Sequence, residues 1–182
     1  MAMDELTFRV AYAAVGIGLP AVLLFLLSRR MERKAYLFPA VVGFLFALGT
    51  SLVLGGGIIA FLFAGVLTGY LVNIKLRLVS LFQAGGISGT LIMFALFVPG
   101  SIYNIGGGTF GLLTSPLGDI MNALSAVGQT VTAEQLLYEL ALYNALTTFL
   151  VVTITGMGAV LGSYLRKLLK PVEKVTDESK AA

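Results

Sequence analysis

Glu139 stands inside an apolar run, Leu136-Leu137-Tyr138-Glu139-Leu140-Ala141-Leu142. Gln135 and Tyr143 lie four residues to either side, so on a helix all three share a face. Asn144, Thr147 and Thr148 carry the polar character further along the same segment. A carboxylate with a phenol and an amide one turn away is a donor set for a proton or a cation. An ionisable group inside a membrane segment is costly enough to count as a functional candidate. Arg9, at the start of the first apolar run, is the second such residue. Two readings follow. Arg9 and Glu139 fall on the same side of the membrane and either pair with each other or snorkel to the interface. Alternatively, Glu139 with Tyr143 and Asn144 takes a proton or cation.

Little other chemistry is available. The chain has no His and no Cys, which removes imidazole and thiolate metal ligands, disulfides, cysteine nucleophiles and the usual general base at neutral pH. The apolar segments contain no Asp, so a paired-aspartate protease is absent, and neither a P-loop nor a nucleophile elbow occurs. No catalytic residue, no metal and no cofactor is expected, and the chain reads as a non-enzyme.

The elements that hold these residues follow from composition. Of 182 residues, 58% are apolar and 12% charged, with a mean hydropathy of +0.96. Soluble domains carry about 45–50% apolar and about 25% charged residues. The chain therefore reads as an all-α, multi-pass protein of the cell membrane, a transmembrane helix bundle whose first partner is the lipid bilayer. A helix needs about 20 mostly apolar residues to cross about 30 Å of hydrocarbon. Five segments meet that need, at about 8–27, 37–54, 58–74, 78–98 and 133–165, within a single domain over 1–170. The last exceeds the bilayer thickness, so one end should project or tilt. Residues 171–182 read as a solvated cytoplasmic tail.

Basic residues set the orientation. Arg29, Arg30, Arg33 and Lys34 follow the first span, Lys75 and Arg77 the third, and Arg166, Lys167, Lys170, Lys174 and Lys180 the fifth. With five spans, all of these share one side and only Arg9 lies opposite, with Asp4, Glu5, Asp119 and Glu134. The expectation is an N-terminus outside and a C-terminus inside. The first span opens on Asp4 and Glu5 and closes on Ser28-Arg29-Arg30, the reverse of a signal peptide, so it reads as a retained anchor. The net charge of +3 is explained by these loops, and no nucleic-acid partner is expected.

A weak internal repeat, A-G-x-[aliphatic]-[ST]-G-x-L, runs through the third and fourth spans as Ala64–Leu71 and Ala84–Leu91. A fainter copy, Gly158–Leu165, lies in the fifth. In lipid, small residues let helices approach closely and drive their association. Gly65 and Gly69, Gly85 and Gly89, and Gly158 and Gly162 thus form helix-packing faces, serving the bundle itself or a homo-oligomer. Over residues 55–89 the chain resembles small glycine-rich archaeal membrane proteins of unknown function, which carry a hairpin of the form G-G…A-G-x-x-x-G followed by an A-G-x-x-G span. That resemblance implies a membrane bundle and brings no activity or site residue.

The outer loop, 100–132, is long and carries Asp119 as its only charge, with a glycine run at Gly106-Gly107-Gly108. It reads either as a surface lid with a short amphipathic helix near Asp119–Val127, or as a re-entrant segment lining a cavity. Thr132-Ala133-Glu134-Gln135 has the spacing of a capping box, marking the start of the fifth span. The leading expectation is a non-enzymatic membrane protein acting through helix packing, as a homo-oligomer or an accessory subunit of a membrane complex. The alternative is a small channel or secondary carrier using Glu139 and the 100–132 loop.

Overall fold

A computed structural model describes residues 4–29, 33–54, 57–72, 77–97, 117–129 and 131–169. The described residues form helices α1 (Glu5–Ser28), α2 (Arg33–Leu54), α3 (Ile58–Leu71), α4 (Leu78–Phe97), α5 (Leu117–Ala126) and α6 (Ala133–Leu169), and no strand occurs among them. Three of these are long and apolar enough to cross a membrane: α1, α4 and α6. α2 and α3 contribute shorter apolar stretches, Tyr36–Thr50 and Ile58–Leu71. The glycine run at 106–108, most of the 100–132 loop and the tail at 171–182 lie outside the described residues.

Local chemistry explains the helix ends. Asp4 caps α1 by accepting a hydrogen bond from the Thr7 backbone N–H at 2.8 Å. The helix therefore starts at Glu5, a turn before the apolar run. Thr132 and Gln135 form the expected capping box at α6: the Gln135 N–H donates to Thr132 Oγ1 at 3.2 Å, and the Thr132 N–H donates to Gln135 Oε1 at 2.9 Å. Two orphan amides are thus satisfied by one pair of side chains. α3 ends at Leu71, three residues short of the apolar run, because Val72 turns to extended backbone (ψ 149°).

The Asp4 cap makes a pH prediction. Its hydrogen bonds with Thr7 hold the carboxyl below its ordinary value of 3.8. A group with a lowered folded pKa stabilises the fold above its unfolded pKa and loses that contribution as pH falls through the folded value. The first turn of α1 should therefore fray below about pH 4. Asp4→Asn, which keeps an acceptor without a titratable proton, should reduce that pH dependence to what the Glu5–Arg9 pair contributes, as read by amide exchange at residues 5–8.

Contacts between helices fix their directions. Tyr36 of α2 clusters with Val72, just past α3, and with Leu81 and Ala84 of α4. Ala47 clusters with Ala64 of α3, Ile92 and Met93 of α4, and Val151 of α6. Between these two levels residue numbers rise along α2 and α4 and fall along α3, so α2 and α4 run one way and α3 the other. α6 lies against both α3 and α4 more extensively than these lie against each other. α1 covers the flank of α4 and α6 with a buried stripe at every fourth residue, Phe8, Tyr12, Gly16 and Pro20. The Phe8 and Tyr12 rings stack with centroids 6.3 Å apart. At 37 residues α6 is about 55 Å long, well beyond the bilayer core.

Candidate functional site

The three glycine pairs singled out by the repeat meet in one place. A Cβ built on Gly65 would strike the carbonyl of Thr155, and one on Gly69 that of Ala159. Reciprocally, a Cβ on Gly158 would strike the Leu62 carbonyl at 2.5 Å, and one on Gly162 the Val66 carbonyl. Numbers rise together on the two helices, so α3 and α6 run parallel. On α4, Gly85 faces Thr155 and Ala159 while Gly89 faces Thr155 and Val152, so α4 runs antiparallel to α6. Each glycine is replaced, in effect, by the backbone of its neighbour. The small-residue faces are thus occupied within one chain, because the three copies of the motif fit one another.

A fourth approach joins this crossing from α2. A Cβ on Gly43 would collide with Thr68 Oγ1, would fall 2.6 Å from the Ala64 carbonyl, and would lie 3.1 Å from Ser88 Oγ. Gly43 carries no repeat, and only its position opposite Thr68 gives it a role. Around it the buried hydroxyls mostly satisfy themselves within their own helices. Thr68 donates to the Ala64 carbonyl at 2.9 Å, Thr90 to that of Gly86 at 2.8 Å, and Thr155 to that of Val151 at 2.8 Å. Ser88 Oγ is buried without a hydrogen-bond partner.

The polar strip of α6 divides between two faces. Gln135, Glu139 and Tyr143 are exposed, while Asn144 and Thr148 are buried. The cause is helical geometry: five residues at 3.6 per turn leave Glu139 and Asn144 about 140° apart. Glu139, Glu134, Gln135, Tyr138 and Val131 line an open groove of about 400 Å³. Asn144 is 7% exposed and its Nδ2 has no hydrogen-bond partner. Arg9 pairs with Glu5, one turn earlier on its own helix. The structure thus keeps Glu139 and Tyr143 together at the surface, and does not join Asn144 to them. No group of three or more Asp or Glu residues placed to hold a metal occurs among the described residues.

One residue with a definite task escaped the sequence reading. The sequence assigns Arg166, with the other inner basic residues, to orientation alone. In the structure its Nη1 donates to the carbonyls of Val72 at 2.7 Å and Tyr70 at 3.1 Å, with Leu71 at 3.5 Å. The last carbonyls of a helix have no intrahelical partner and carry partial negative charge. A guanidinium from α6 therefore closes the end of α3, reaching across more than ninety residues of sequence. The available signal was a cation one turn beyond the Gly158–Gly162 face, at the level where a parallel α3 had to end.

No protein-family model matches this chain, and no match was found among curated proteins or among solved structures.

Proposed function

We propose that this is a multi-pass protein of the cell membrane in which α1, α2, α3, α4 and α6 each cross the bilayer once, with the N-terminus outside and the C-terminus inside. We further propose that it works without chemistry of its own, through helix surfaces, as a homo-oligomer or as an accessory subunit of a membrane complex. Two features support the topology. α2 and α4 run opposite to α3 and α6, as successive crossings require. The cations at Arg33 and Lys34, at Arg77, and at Arg166 and Lys167 then gather beyond the Tyr36, Val72 and Leu81 level. α2 with 22 residues and α4 with 20 are about 33 and 30 Å long, the thickness of the hydrocarbon core. α3 with 14 residues is about 21 Å long.

The observation that carries the functional reading is the centre of the bundle, where backbone rests on backbone at Gly65, Gly69, Gly85, Gly158 and Gly162. A core closed in this way is a rigid scaffold. Its glycines are spent internally, so contacts with other subunits fall to the larger outward side chains. On α6 these include Met157, Leu161 and Tyr164, and on α1 Val10, Ile17 and Phe25, all exposed. The test is gentle extraction from native membranes followed by intact mass. The expected result is a particle heavier than 19.2 kDa plus bound lipid, at an integer multiple for a homo-oligomer or with larger stoichiometric polypeptides for an accessory role. A lone 19.2 kDa chain from every extraction would overturn the proposal.

A further inference from the structure

We infer that α5 lies flat in the outer lipid–water interface, with Leu117, Met121 and Leu124 set among the headgroups and first acyl carbons. This rests on the multi-pass reading above. Positions 117, 121 and 124 follow the i, i+4, i+7 spacing of one helical stripe, while Asp119 and Asn122 fall on the other side and are exposed. The helix is sharply ended. Gly128, at φ 82°, lets the Gln129 N–H donate to the Leu124 carbonyl at 3.0 Å and the Gly128 N–H to the Ser125 carbonyl at 3.0 Å, a Schellman closure.

Ten residues are too few to hold a helix in water, where even alanine-rich chains need about 12–15. Its support must therefore come from something its apolar stripe touches, and α5 has no extended contact with any other described helix. The tether says which surface is within reach. Six residues separate Ala126 from Ala133, at most about 25 Å of chain. α5 is thus held beside the N-terminal end of α6, the outer end in the proposed topology. Tyr138 and Tyr143 are exposed there, the aromatic side chains that favour the membrane interface. The helix carries one charge, Asp119, and no cation, so apolar insertion holds it and anionic headgroups are not required.

The chain has no native cysteine, which makes the test direct. Single variants Met121→Cys, Leu124→Cys, Asn122→Cys and, on the exposed side of α6, Met157→Cys are labelled with an environment-sensitive fluorophore. The full-length proteins are placed in phosphatidylcholine vesicles. Quenching is compared for aqueous iodide and for lipids bearing a nitroxide at the headgroup, at acyl carbon 5 or at acyl carbon 12. Probes at 121 and 124 should lose most of their emission to the headgroup and carbon-5 nitroxides and little to iodide, while the probe at 122 should show the reverse. The result should persist when anionic lipid is omitted. The inference is overturned if probes at 121 and 124 respond to iodide like the one at 122, if they are shielded from every quencher by protein, or if only the carbon-12 nitroxide reaches them. The Met157→Cys probe separates the two readings. If it responds to the carbon-12 nitroxide while α5 behaves otherwise, the placement of α5 alone is wrong. If it responds to iodide only, the multi-pass reading fails as well.

Discussion

Gly69→Ala should destabilise the protein by about 2 kcal/mol, and Gly69→Leu should leave no folded bundle. Overpacking a tight core costs about 1–3 kcal/mol, and the cost is highest where the obstacle cannot move. At Gly69 the obstacle is the Ala159 carbonyl, backbone in the middle of a helix. Opposing this, alanine gains about 0.5–1 kcal/mol over glycine in a helix interior. Gly18 supplies the comparison, since a Cβ there meets nothing within 4 Å, so Gly18→Ala should be neutral or slightly stabilising. Gly162→Leu, facing the Val66 carbonyl, should behave like Gly69→Leu from the other side of the same contact. The measurement is helix content against denaturant for the purified protein in mild detergent. Equal stability of the Gly69→Ala and Gly18→Ala variants would contradict the backbone contact between α3 and α6.

Arg166→Ala should cost about 1–3 kcal/mol, the range for losing charged hydrogen bonds and leaving buried acceptors unmatched. Its guanidinium serves the Tyr70 and Val72 carbonyls at once, and Val72 itself is buried. Arg166→Lys keeps the charge but replaces a planar fork with a point charge, and should recover only part of the loss. The same denaturant curves read both variants. A lysine variant as stable as the parent would mean that charge near the helix end, rather than the directed bonds, holds α3 in place.

How much of this was legible beforehand depends on the range of each signal. The start of α6 was readable because Thr132 and Gln135 act on each other across one turn. The glycine faces were readable because a period of four residues defines a face. Which face met which was not, since the partners Gly69 and Ala159 are ninety residues apart and nothing local pairs them. The end of α3 at Leu71 was not legible, because hydropathy measures apolarity and does not register the turn to extended backbone at Val72. The polar strip of α6 was read as a unit because Glu139 and Asn144 are close in sequence. Helical rotation sends one to the surface and the other inward. Arg166 was obscured by an explanation that already accounted for every cation but Arg9. Orientation and the capping of α3 ask for the same charge on the same side.

The position of α6 also bears on how the protein is made. Translation delivers segments from the N-terminus, and folding ordinarily begins before the chain is complete. Here the surface on which α3 and α4 close belongs to a helix that emerges after both. Until Gly158 and Gly162 reach the bilayer, Gly65, Gly69, Gly85 and Gly89 have no backbone to rest against. The first four helices must wait as a loosely associated set, open to the chaperones and proteases of the membrane. A ribosome stalled before residue 150 would leave an unclosed bundle, so the emergence of α6 acts as the commitment step of assembly.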